Sequence, residues 1–195
     1  MNHLMEFRGL LTNLHYVILF FRDYHLKFGN LIFLLYICTM KQVIFLCGIP
    51  ASGKSTWVNE QINILPNSKI VSRDNIRKMF DYVFSEVAVS ELFNKQLEEY
   101  VLNDELEYIF IDNTNVKQKY INSIIDFCYS CNKNCEFFIK VFDTPYEECV
   151  KRNNLRKGNE HVPIKAMEKM KMNYDNFIKN LNNYINLKNI KIYDK

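Results

Sequence analysis

The stretch Gly48-Ile49-Pro50-Ala51-Ser52-Gly53-Lys54-Ser55 has the residue types and spacing that hold a polyphosphate. In the pattern G-x-x-x-x-G-K-S a tight loop turns its backbone N–H groups inward, where they and the start of the next helix cradle phosphate oxygens. Lys54 then reaches the β and γ phosphates. Ser55 offers a hydroxyl to Mg²⁺, an ion that takes hard oxygen ligands and bridges phosphates. Gly53 is expected to adopt a geometry that a Cβ would crowd, and Pro50 to stiffen the loop without removing a needed helical donor. A chance match in a turn is the bland alternative. Against it, the apolar run Val43-Ile44-Phe45-Leu46 precedes the loop and the helical stretch Thr56 to Ile62 follows, in the order the motif requires.

Other residues carry chemistry of the same kind. Asp74 lies between Arg73 and Arg77 and is placed to accept a proton from an attacking hydroxyl, while Arg77, one helical turn on, can grip an anionic group bidentately. A helix N-cap with surface arginines is the competing reading. Asp112 follows the run Tyr108-Ile109-Phe110-Ile111, where a carboxylate either holds a water on Mg²⁺ or simply caps a loop. Arg152 and Arg156 are four residues apart and share one helix face if the turn continues, so both can face one phosphate chain. From 151 to 171, Lys151, Arg152, Arg156, Lys157, Lys165, Lys169 and Lys171 stand against Glu160 and Glu168. That excess of positive charge suits a lid closing over a nucleotide, or a solvated face.

These residues need a scaffold that brings distant segments together. A chain of 195 residues, 48% apolar and 24% charged, fits one domain with a full core. Its formal charge of +3 does not announce a nucleic-acid binder, so affinity for phosphates must come from local clustering. The six cysteines, in a chain without a recognisable secretory signal, read as reduced thiols of a cytoplasmic protein. Cys128, Cys131 and Cys135 could suggest a metal site, but no fourth ligand follows at a zinc-like spacing.

Residues 1–39 form an N-terminal extension unlike the rest, with two apolar runs split by Arg22-Asp23-Tyr24-His25-Leu26-Lys27. Neither run reaches the ~20 apolar residues of a membrane span, so stable membrane insertion is not expected. Three readings remain: an upstream segment whose true start is Met40, a membrane-surface hairpin, or an added packing element. From 40 to 195 apolar strands alternate with helical stretches, which predicts an α/β domain. Strands are expected at Gln42 to Cys47, Lys69 to Val71, Tyr108 to Ile111 and Glu136 to Phe142, with a possible fifth at Ile190 to Tyr193. Helices are expected from Lys54 to Ile64, Ser85 to Asn103, Lys117 to Ser130, from Pro145 as first helical residue with Asp143 or Thr144 as cap, and from Ala166 to Asn180. The fold class is therefore α/β: a P-loop NTPase with a mainly parallel sheet of four to five strands, helices on both faces, and an Arg-bearing lid.

From Met40 to about Phe177 the chain resembles the kinase domain of bacteriophage-type polynucleotide 5′-hydroxyl kinases. The resemblance rests on the Gly48 to Trp57 stretch, Arg73-Asp74 with Arg77, Asp112-Asn113-Thr114-Asn115, Val141 to Pro145, Val150-Lys151-Arg152-Asn153 with Arg156, and Val162-Pro163-Ile164. It implies that Gly48, Ile49, Pro50, Ala51, Ser52, Gly53, Lys54, Ser55 and Thr56 bind ATP and Mg²⁺, that Asp112 holds the metal through water, and that Asp74 is general base. Arg77 would hold the phosphate beside the acceptor hydroxyl, Arg156 would act on the transferring phosphates from the lid, Arg152 would support the nucleotide, and Val162 would lie against the terminal base. Family members with a second, phosphatase half carry an Asp-x-Asp motif; this sequence has none, so no 3′-phosphatase activity is expected.

The resulting expectation is ATP-dependent phosphorylation of 5′-hydroxyl ends of RNA or DNA, as in nucleic-acid repair. A P-loop kinase of a small hydroxylated metabolite or nucleoside is the first alternative; Arg77 speaks against it, because a neutral acceptor has no phosphate to grip. A non-catalytic NTP-binding module is the second, and would need no base at Asp74.

Overall fold

Along Lys41–Cys47 (β1) successive side chains enter two different apolar environments. Val43, Phe45 and Cys47 join one buried cluster and Ile44 and Leu46 the other. That is the pattern of a strand covered on both faces. The computed structural model describes residues 40–194; the three readings of residues 1–39 lie outside the described residues.

Four further strands, Ser68–Val71 (β2), Tyr108–Ile111 (β3), Cys135–Val141 (β4) and Lys191–Ile192 (β5), complete a sheet of order β2-β3-β1-β4-β5. Every pairing is parallel. This is the expected P-loop NTPase-like sheet. The chain passes from β1 out to β2 and β3 and then back past β1 to β4, so the crevice at the carboxyl end of β1 is the switch point where open α/β sheets bind ligands.

Lys54–Ile64 (α1) packs on one face, where Trp57 meets Phe110, Phe142 and Tyr193 edge-on at ring separations of 5.7 to 5.9 Å. The other face carries Glu86–Leu102 (α3), Gln118–Cys131 (α4) and Ile164–Lys179 (α6). Their buried positions recur at helical spacing: Val89, Phe93, Leu97 and Val101 on α3; Ile121, Ile125 and Cys128 on α4; Met167, Tyr174 and Phe177 on α6. Arg73–Met79 (α2) follows β2 directly, and Tyr146–Asn154 (α5) follows β4. Among the described residues no helix is long and apolar enough to cross a membrane.

Two expectations change. Pro145 is the N-cap of α5 rather than its first helical residue, and neither Asp143 nor Thr144 caps it. Thr144 Oγ1 instead donates to the Ser52 carbonyl at 2.9 Å, a tertiary bond that local sequence does not encode. α5 also stops at Asn154, so Arg156 lies beyond the helix and does not share its face with Arg152. The Asn-rich tail contains an unexpected helix, Leu181–Lys188 (α7), whose Tyr184 packs on Phe177 and donates to Asn122 Oδ1 at 2.7 Å.

The carboxyl ends of β1 and β3 are joined by Asn115. Its backbone is left-handed (φ 46), and its buried amide donates to the carbonyls of Leu46 at 3.0 Å and Ile111 at 2.8 Å. Asn115→Ala strands those carbonyls and puts a Cβ-bearing residue without local compensation at positive φ. It is expected to lower the unfolding free energy by about 2–3 kcal/mol in a urea titration. Asn115→Gly relieves only the backbone part and should recover about 1 kcal/mol.

Candidate active site

The loop from Gly48 to Gly53 owes its shape to two different constraints. A Cβ on Gly48 would lie 2.6 Å from Ser52 Oγ and 3.0 Å from Phe142 Cβ, so the close approach of neighbouring chain requires glycine there. Gly53 has open space around its missing Cβ; its requirement is the backbone φ of +96, not the crowding expected from sequence. Ala51 also sits at positive φ (63), a strained position for a residue with a side chain. α1 opens without a side-chain cap or an acidic residue in its first turn, which leaves its leading N–H groups for an anion.

Lys54 is buried, and its ammonium donates back into the loop, to the Ile49 carbonyl at 2.7 Å and Ser52 Oγ at 3.3 Å. Burial pulls its pKa down to about 8; the Asp112 carboxylate opposes that shift, and the Arg156 guanidinium adds to it. Ser55 Oγ donates to Asp112 Oδ2 at 2.7 Å. Asp112, 8% exposed, has its carboxyl raised by burial, with the Ser55 hydroxyl and Lys54 pulling the other way and Asp74 pushing up. A hydroxyl and a carboxylate oxygen meeting below an inward-facing lysine are a donor set that fits Mg²⁺ and a nucleoside triphosphate.

α2 supplies the next group. Ser72, its N-cap, accepts from the Asn75 amide at 3.3 Å, and the Arg73 amide donates to Asn113 Oδ1 at 3.2 Å, tying the helix start to the loop after β3. Capping is thus done by Ser72, which leaves the Asp74 carboxylate, 77% exposed, facing solvent. Arg77 donates through Nη1 to Asp74 Oδ1. Its Nε and Nη2 fork onto the Glu86 carboxylate at 3.0 and 2.8 Å. Sequence reasoning misses Glu86, since nothing local marks a partner nine residues away.

Beyond α5 the chain turns back onto α5 and reaches α2. Arg152 is held on the α5 surface by Glu148 at 2.8 Å, away from the loop. Arg156 is exposed, yet its charge reaches Lys54. After the 3₁₀ turn Gly158–Glu160, Glu160 pairs with Lys78 of α2 at 2.7 Å. Asn153, 1% exposed, clamps Val162 by both backbone groups, donating to its carbonyl at 2.8 Å and accepting from its amide at 3.0 Å. Asn153 stands in the motif quoted from sequence, but an asparagine on a helix reads there as a surface position.

The fold therefore brings Lys54, Ser55 and Asp112 into one contact group, with Asp74 and Arg156 within electrostatic reach of it and Arg77 joined to Asp74. Thr56 is exposed on the first turn of α1, and Val162 is half-buried at the far end of the turn-back segment.

Comparison with known proteins agrees with this fold. A family profile described as an AAA domain matches residues 43–177. A chain in the structure of the Pnkp1/Rnl/Hen1 RNA repair complex is similar at 25% identity and TM-score 0.56, over 72% of this chain and 46% of that one. The present chain thus spans about half the length of that relative. A fungal RNA kinase aligns at 18% identity and TM-score 0.51, over 70% of this chain and 65% of that one. Kti12 from Chaetomium thermophilum, in complex with ADP-AlF3, aligns at 16% and 0.50, over 68% of this chain and 79% of that one. The last two likenesses speak to fold alone.

The buried ammonium has a measurable consequence. Lys54 binds its proton less tightly folded, near pH 8, than unfolded, near 10.5. Between those values the unfolded chain carries more protons, so Lys54 makes stability rise with pH; below pH 8 the full cost of burying the charge is present. The Cys47 thiol, pushed up to about 12 by burial, acts in the opposite sense and is common to wild type and variant. In paired denaturation series from pH 7 to 10, ligand-free wild type should gain on Lys54→Met by on the order of 2 kcal/mol. A difference flat across that range refutes the buried-charge account.

Proposed function

The chain belongs to the AAA-domain family matched by its residues 43–177, a P-loop group, and from that premise we propose that it is an ATP-dependent kinase that phosphorylates 5′-hydroxyl ends of RNA or DNA. The observation that carries this reading is the Asp74–Arg77 pair at the carboxyl end of β2, whose carboxylate is felt electrostatically by Asp112, itself bonded to Ser55. A base and an anion clamp one turn apart, beside a metal-suited oxygen pair, are what transfer to a hydroxyl adjacent to a phosphate requires. The 25% likeness to a chain of an RNA repair complex supports an RNA end as acceptor.

In this mechanism the loop Gly48 to Ser55 holds the triphosphate through those backbone N–H groups that are not already bonded within the protein, as the Gly48 amide is to Thr114, together with Thr56, and Lys54 exchanges the Ile49 carbonyl for phosphate oxygens. Ser55 directly, and Asp112 through water, would hold Mg²⁺, which would supply charge neutralisation to the phosphates. Asp74 accepts the proton of the acceptor hydroxyl as it attacks. Arg77 leaves Glu86 for the acceptor's adjacent phosphate, an exchange of one carboxylate fork for another bidentate anion. Arg156 approaches the transferring phosphates from the turn-back segment, Arg152 supports the nucleotide after releasing Glu148, and Val162 contacts the terminal base. The described cysteines are all unpaired thiols, in keeping with a cytoplasmic setting.

The test is label transfer from γ-labelled ATP with Mg²⁺ to a 5′-hydroxyl oligonucleotide by the full chain. Asp74→Asn should lower kcat by about 10²–10⁴. Arg77→Ala should raise the acceptor KM while sparing the KM for ATP. Transfer to a sugar or nucleoside but to no oligonucleotide would assign the small-molecule reading instead.

A further inference from the structure

A second concavity lies on the same side of the sheet as α2. It has a volume of about 310 Å³, and its walls include Thr114, Lys117, Tyr120, Lys169, Met170 and Asn173, from the loop after β3, the start of α4 and the first half of α6. No residue from Gly48 to Ser55 lines it, so it is distinct from the phosphate cradle. It is nevertheless next to that cradle, because the Gly48 amide donates to the Thr114 carbonyl at 3.0 Å. Asn115, which also lines it, pins the same loop to β1 and β3.

The chemistry of the walls is specific. Both charged side chains are lysines and no carboxylate is present, in a chain whose net charge is only +3. Tyr120 is 57% exposed, with the Lys117 ammonium 5.6 Å from its ring centroid. An exposed aromatic ring with one lysine at its face and a second lining the same cavity suits a base stacked on the ring with its phosphate near the lysines, and this volume is at the lower end of ligand pockets. A free inorganic anion would leave the ring unused.

Resting on the end-kinase reading above, we infer that this cavity takes the part of the acceptor strand beyond its terminal nucleotide, a base against Tyr120 and a backbone phosphate between Lys117 and Lys169. The site then lets the protein distinguish an oligonucleotide from a mononucleotide. Contacts to base face and phosphate are indifferent to sequence.

The full chain is compared with Tyr120→Ala and with the double variant Lys117→Gln, Lys169→Gln. Two readouts are taken: kinetics with a 5′-hydroxyl hexanucleotide and with a nucleoside 3′-monophosphate, and anisotropy of a labelled hexanucleotide. Each variant should raise the hexanucleotide KM and Kd about tenfold. The values for the monophosphate, the KM for ATP and kcat should stay unchanged. The double variant should also flatten the salt dependence of log K by about 0.7 for each backbone phosphate that the lysines no longer neutralise. Hexanucleotide KM and Kd unchanged in both variants, an equal shift with the monophosphate, or no hexanucleotide binding by wild type overturns the assignment. Wild type that binds the hexanucleotide through these residues but transfers no phosphate upholds the cavity and refutes the end-kinase reading. Transfer by wild type with unaltered binding in the variants does the reverse.

Discussion

The lysine ammonium buried at the carboxyl edge of β1 sets the terms for everything around it. A charge taken from water must find partners, and Lys54 finds the Ile49 carbonyl and Ser52 hydroxyl of its own loop. That arrangement requires the loop to double back on itself, which in turn requires a bare Cα at Gly48, a left-handed Gly53 and a strained Ala51. It also requires a roof. Thr144 holds the Ser52 carbonyl from the β4 side and the Thr114 carbonyl holds the Gly48 amide from the β3 side, so both neighbouring strands anchor the cradle. A polyphosphate arriving there replaces weak internal partners by a full anion, which is the electrostatic preorganisation phosphoryl transfer needs.

The opposite wall is built on exchangeable ion pairs. Arg77 is held by Asp74 and Glu86, Lys78 by Glu160, and Arg152 by Glu148, all at exposed or half-exposed positions. Such pairs contribute little to stability, typically ~0–1 kcal/mol each, so a phosphate can displace them at small cost. The Lys78–Glu160 pair joins α2 to the turn-back segment, and the buried Asn153 fixes where that segment re-enters the body of the domain. The segment is thus held by a buried polar clamp at one end and by an exposed ion pair at the other.

Charge in this protein is a local quantity. The surface around Lys117 and Lys169 is positive, whereas between α2 and α3 Arg77 is neutralised by Asp74 and Glu86. An anion would meet lysines with no ion pair among the described residues at the first surface, and would have to displace carboxylates at the second.

Much of this is legible in the sequence. Apolar runs ending in Gly48, Ser72, Asp112 and Asp143 define four parallel strands and the edge on which the site lies, because near-continuous apolar runs and the G-x-x-x-x-G-K-S spacing are local signals. Lys54, Ser55, Asp112, Asp74 and Arg77 follow from pattern alone. What stays hidden depends on segments far apart in the chain: the Glu86 fork on Arg77, the Asn153 clamp on Val162, the Thr144 bond to the loop, and the cavity that joins α4 to α6. The end of α5 before Arg156 and the helix formed by the Asn-rich tail are also decided by packing, since Tyr184 gains a ring and a hydrogen-bond partner only after the chain has folded back. Local pattern determined which residues are candidates for the chemistry; tertiary contacts decided which of them meet, because their partners come from segments far apart in the chain.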